Sequence, residues 1–153
     1  MTSRFLIASL ATLAIVVSCS PANDTTISKG TYEDYEIVQT HQISWNDVLN
    51  QEDDNYIVFI YSETCGYCHD MLNEIVSFAN EEILITYFLN SSLNPVTIGD
   101  DNPIGITEIE NLTIRGTPTI IEVDEKMVIA NIPGIDQCLT YLNDKRLERN
   151  NNT

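Results

Sequence analysis

Residues 56–71 read YIVFIYSETCGYCHDM. Tyr56 to Tyr61 run without a polar interruption, as in a strand covered on both faces. Ser62-Glu63-Thr64 is a turn. From Cys65 onward, Cys68, Met71, Leu72, Ile75, Val76 and Ala79 fall on one stripe, which predicts an amphipathic helix over residues 65–80. Two cysteines with two residues between them at a strand-to-helix junction can meet across the first helical turn. Cys65, at the helix N-terminus, lies where unpaired N–H groups and the macrodipole favour a thiolate. The thiolate is the attacking species in disulfide exchange. Cys68, one turn in, is expected to be more buried and to resolve a mixed disulfide by attacking Cys65.

Downstream, residues 83–89 predict a second central strand. Residues 91–105 hold two prolines and two glycines and read as a loop, and 106–112 as a short helix. Residues 119–123 and 127–132 flank Asp124-Glu125-Lys126, a β-hairpin pattern stopped by Pro133-Gly134. Residues 135–149 predict a last helix with Ile135, Cys138, Leu139 and Leu142 on its apolar face. Lys145, Arg146 and Arg149 sit at its C-terminal end, where cations complement the macrodipole. Upstream, residues 35–42 predict a first strand. Ser44, with Asp47 three residues on, opens a short helix to about residue 50. The order β-α-β-α-β-α-β-β-α implies an α/β fold. Its central mixed sheet is parallel in the first half and ends in an antiparallel hairpin, with helices on both faces.

At this point a resemblance becomes definite. Residues 56–71 look like the strand-to-active-site segment of the thioredoxin superfamily. About fifty residues later, Ile114-Arg115-Gly116-Thr117-Pro118-Thr119 resembles that superfamily's cis-proline segment. The resemblance covers residues 35–149 and implies a thioredoxin-like fold. It implies a redox pair, Cys65 and Cys68, in an active-site loop with Gly66, Tyr67 and His69. It also implies that Pro118 is a cis-proline lying against the pair and that, with Thr117, it shapes the substrate groove. The Thr117 backbone would pair with an extended substrate peptide, and its hydroxyl would meet a Cys65 thiolate.

The sequence also departs from the family pattern. In cytosolic thioredoxins a buried acid lies six residues before the first cysteine; that position is Phe59 here. Thr64 replaces the tryptophan that commonly precedes the pair, and the enclosed dipeptide is Gly-Tyr rather than Gly-Pro. Glu63 or water is left to take the proton from Cys68. The direction of electron flow does not carry over.

The N-terminus reads as an address. Residues 5–17 are 13 residues without a charge behind Arg4, the length of a signal-peptide h-region and too short to span a bilayer. Val16-Val17-Ser18-Cys19 resembles the lipobox of bacterial lipoproteins, which implies cleavage after residue 18 and lipidation of Cys19. An ordinary signal peptide and an uncleaved anchor are the alternatives. Residues 19–34 then read as the lipidated cysteine and a flexible polar tether, spanning on the order of 20 Å. Residues 35–149 form the domain and 150–153 a disordered tail.

Composition limits the partners. The chain has 153 residues, seven Lys+Arg and 23 Asp+Glu, for a net −16; losing Arg4 on cleavage makes it −17. Seven scattered cations cannot neutralise a phosphate backbone, so no nucleic acid is expected. Attraction to an anionic bilayer is excluded too, and any membrane contact would go through lipid. Cys65 to His69 also satisfies C-x-x-C-H, the haem c attachment pattern, but a cytochrome leaves the preceding strand and the Gly-Thr-Pro segment unexplained. A zinc site would need Cys138, His41 or His69, which form no second paired spacing. No metal or organic cofactor is expected. Cys138, on an apolar stripe, reads as core.

These readings converge on an extracytoplasmic, membrane-anchored thiol–disulfide oxidoreductase. It would be a monomer acting on protein or peptide thiols and disulfides, with a redox partner to restore its active state. The alternative is a thioredoxin-like binding or accessory module for an exported peptide, with weak or vestigial redox activity.

Overall fold

The computed structural model describes residues 30–152. The signal segment, Cys19 and most of the expected tether lie outside the described residues. Four strands form one sheet: β1 (Asn55–Tyr61), β2 (Ile85–Asn90), β3 (Thr119–Asp124) and β4 (Met127–Pro133), in the order β2-β1-β3-β4. β1 pairs parallel with β2 and antiparallel with β3, so Phe59 faces Phe88 on one side and Ile120 on the other. β3 and β4 make the expected antiparallel hairpin. Its turn has positive φ at Glu125 (46°) and Lys126 (64°), the two-residue geometry that matches strand twist.

Every side chain from Tyr56 to Tyr61 is buried, which explains the uninterrupted apolar run. Strand side chains alternate between faces. Ile57, Phe59 and Tyr61 therefore enter one core and Tyr56, Val58 and Ile60 the other. The first core is closed by α2 (Gly66–Asn80) through Cys68, Met71, Leu72 and Ile75, and by α3 (Ile135–Asn151) through Cys138 and Leu142. The second core is closed by Val48, Leu49, Leu112 and Ile114. Both faces are covered as expected, but the second is covered by loop and by one-turn 3-10 helices at Trp45–Asp47 and Ile109–Asn111. These turns stand where two short helices were expected. Residues 91–105 form the expected loop and are tied back to the sheet. The Gly105 N–H donates to the Val128 carbonyl at 2.8 Å and the Val128 N–H to the Ile106 carbonyl at 2.9 Å.

Three expectations are corrected. Residues 35–42 are not a strand: α1 (Glu36–Thr40) occupies most of them. Strand character survives only beside β2, where the Phe88 N–H donates to the His41 carbonyl and the Ile43 N–H to the Phe88 carbonyl, each at 2.9 Å. Tyr35 and Val38 are three apart and reach the same core, a helical spacing that Ile37 disguised as alternation. Second, residues 31–34, expected at the end of a flexible tether, belong to the folded domain. Tyr32–Asp34 form a 3-10 turn, the Thr31 N–H donates to Asp34 Oδ2 at 2.7 Å, and Tyr32 is only 2% exposed. Third, α3 continues through Asn151, into the expected tail.

Arg146 of α3 binds the end of α2. Its Nε and Nη2 donate to the two oxygens of Glu81 at 2.9 and 2.8 Å, and its Nη1 to Glu74. Lys145 donates to the buried Glu122 of β3 at 2.9 Å. No helix among the described residues is long and apolar enough to cross a membrane.

Candidate active site

β1 ends at Tyr61, and Ser62-Glu63-Thr64 carries the chain to Cys65, the N-cap of α2. An N-cap residue keeps an extended backbone, here φ −86° and ψ 112°, so its side chain can fold back over the first turn. The Cys68 N–H accordingly donates to Cys65 Sγ at 3.2 Å. The Cys65 thiol in turn donates to the Thr117 carbonyl at 3.4 Å. The Thr117–Pro118 bond is cis. The amide contact survives loss of the thiol proton; the carbonyl contact does not. Both cysteines are free thiols, Cys65 half-buried and Cys68 fully buried.

Burial pushes the Cys68 thiol up to about 12, and the Cys65 sulfur adds to the rise. Hydrogen bonds from the Ser62 amide and the Thr117 hydroxyl pull the other way. Thr117 thus meets Cys65 through its carbonyl. Beneath Cys68 lie aromatic rings. Tyr32 stacks on Tyr61 with ring centroids 4.0 Å apart, and Phe59 sits 5.8 Å from Tyr32. The Tyr32 hydroxyl donates to the Cys68 carbonyl at 2.6 Å. Glu63 is exposed, and its carboxylate accepts from Asn90 Nδ2 at 2.6 Å. His69 Nε2 lies 2.8 Å from the Glu63 carbonyl; since a carbonyl only accepts, Nε2 carries the proton, and the ring braces the loop.

A cavity of about 250 Å³ lies beside the pair. Tyr67, Thr117 and Pro118 line it on one side and residues 133–137 on the other. The β3–β4 pairing builds it, because Thr119 opposite Pro133 brings the end of the hairpin next to Pro118. The Gly134 N–H donates to the Pro118 carbonyl at 2.8 Å. Gly134 has φ 84°, where glycine is favoured. A wider cavity of about 660 Å³, bordered by Gln42, Asp47, Asp53 and Tyr87, shares no residue with this site.

Mitochondrial thioredoxin 3 from Saccharomyces cerevisiae matches this structure with a TM-score of 0.51 at 11% identity, over 74% of this chain and 96% of that one. The chain has the thioredoxin fold. A thioredoxin from Malassezia sympodialis matches with a TM-score of 0.50 at 12% identity, over 68% of this chain and 88% of that one. No protein-family model and no curated protein matches the sequence.

Within this thioredoxin fold, the sequence-predicted residues Cys65, Gly66, Tyr67, Cys68, His69, Thr117 and Pro118 come together at one end of the sheet. Gly66 is the first helical residue and has open space where a Cβ would stand, so close packing does not require glycine there. Cys138 is core, as expected: its thiol donates to the Ile132 carbonyl at 3.2 Å, and burial pushes it up to about 12. Two contributions were missed. Tyr32 carries no sequence signal, being one aromatic in a polar run. The far wall of the groove at residues 133–137 follows from strand pairing; the Pro133-Gly134 stop right after the hairpin is its only trace in the sequence.

Proposed function

We propose that this chain is a thiol–disulfide oxidoreductase acting on protein or peptide substrates through Cys65 and Cys68. One observation carries the reading. Cys65 Sγ sits at a helix N-cap, bonded at once to the Cys68 amide and to the carbonyl of the cis Thr117–Pro118 segment. In the reducing direction, the Cys65 thiolate attacks one sulfur of a substrate disulfide. That S–S bond breaks, a mixed disulfide forms, and the other substrate sulfur leaves as thiolate. Cys68 then gives its proton to water and attacks Cys65, releasing the second substrate thiolate. Two electrons have passed to the substrate, and the Cys65–Cys68 disulfide remains. The oxidising direction is the reverse, and in either case a dithiol or disulfide partner restores the starting state.

The lipobox-like Cys19 supports an extracytoplasmic site of action with a lipid anchor. Palmitate labelling of the full chain is expected to disappear in Cys19→Ala. The redox reading is tested in cells with Cys68→Ser, which strands the mixed disulfide. Adducts at Cys65 that a reductant releases, absent when Cys65 is also replaced, are the expected result. No adducts, together with Cys65 alkylation no faster than a free thiol, would leave the second reading: a binding module with vestigial chemistry. The observation favouring that second reading is the aromatic floor under Cys68, where Phe59 stands in place of an acid.

A further inference from the structure

The groove beside the redox pair has a chemical bias that disulfide exchange does not itself demand. Of its lining residues only Asp136 is charged. Among the described residues its carboxylate has no cationic partner: Arg115 pairs with Asp100, Lys145 with Glu122 and Glu148, and Arg146 with Glu74 and Glu81. Across the groove Tyr67 is 65% exposed, a large aromatic left in solvent at the first turn of α2. An aromatic face opposite an unpaired carboxylate suits an ammonium or guanidinium group, which the ring quadrupole and the anion both attract. The net charge of −16 repels anionic substrates in the same sense.

We propose that this groove selects extended peptides carrying a Lys or Arg side chain next to the cysteine of the disulfide, with the cation lodged between Tyr67 and Asp136. The inference rests on the redox reading and names its substrate class. Asp136 is a specificity residue; the sulfur chemistry does not use it.

The test is single-turnover reduction by the prereduced full chain in detergent, which needs no other reductant. Its two thiols supply two electrons and two protons to each peptide disulfide. The peptides differ only in the residue flanking cysteine: Arg, Gln or Glu. The Arg peptide is expected to react about tenfold faster than the Gln peptide, the sum of an exposed ion pair and a cation–π contact. Asp136→Asn is nearly isosteric and is expected to bring the two within about twofold of each other, with the reduction potential of the pair unchanged. At about 0.5 M salt the long-range field is screened, and an Arg preference that still depends on Asp136 assigns it to the groove. Equal rates for Arg and Gln overturn the proposal. So does an Arg preference that Asp136→Asn leaves intact, since Asp136 would then serve only the α3 dipole. If no peptide is reduced, the redox reading fails separately. NMR titration with the serine versions of the peptides then decides the groove: tighter Arg binding lost in Asp136→Asn supports it, and equal binding overturns it.

Discussion

The space under Cys68 is filled by Tyr32, Phe59 and Tyr61, and this sets how the thiol ionises. Burial raises both Cys68 and Cys138 to about 12, well above an unfolded thiol near 9. Between those values the unfolded chain has given up protons that the native one still holds. The stabilisation is thus fully present below pH ~9 and is lost as pH rises toward 12, at about 1.4 kcal/mol per pH unit per group. Urea midpoints are expected to fall steadily from pH 9 to 11, less steeply in Cys138→Ala; a flat profile would contradict the assignment. Tyr32 gives a second prediction. Tyr32→Phe removes one hydrogen bond, about 1 kcal/mol, while Tyr32→Ala opens the aromatic floor at about 3–5 kcal/mol. Urea unfolding of the two variants measures the difference. The placement of the cysteine pair was legible in the sequence because it follows from spacing at a strand–helix junction. Tyr32 was not, because its partner Cys68 lies 36 residues away.

At the level of elements, long periodic segments were read correctly. The six-residue apolar run of β1 and the stripe of α2 each fit a single period. The five residues of α1 are too few to separate period 2 from period 3.6, and so a helix was read as a strand. Side-chain clamps between elements were invisible for a different reason: which carboxylate meets Arg146 depends on how α2 and α3 pack. That clamp is testable. Arg146→Ala is expected to cost about 1 kcal/mol or slightly more near neutral pH, through the ion-pair network and lost packing on Phe78. Arg146 holds the Glu81 carboxyl below its ordinary range. A lowered carboxylate stabilises above its unfolded value near pH 4 and loses that contribution as pH falls. The gap between wild type and Arg146→Ala, read from thermal unfolding, should therefore narrow below pH ~4. An equal gap at pH 7 and pH 3 would assign the effect to packing alone.

Over the whole molecule, 23 carboxylates face seven cations, and Arg146 is already committed to Glu74 and Glu81. Self-repulsion of this size destabilises a compact state and is screened by salt. The urea midpoint is expected to rise when NaCl goes from about 20 mM to about 500 mM; a fall would mean that the clamps outweigh the repulsion. The overall architecture was legible because the order of elements and the two cysteine and proline segments constrain it together. The far wall of the groove was not, because residues 133–137 reach Pro118 only through the β3–β4 register.

The burial of Tyr32 also has a geometric consequence. With Cys19 lipidated as proposed, the chain enters the domain beneath Cys68, thirteen residues after the anchor. Thirteen residues at full extension reach about 45 Å. The cysteine pair would then be leashed at its own doorstep, and only disulfides presented within that radius of the bilayer surface would come into its reach.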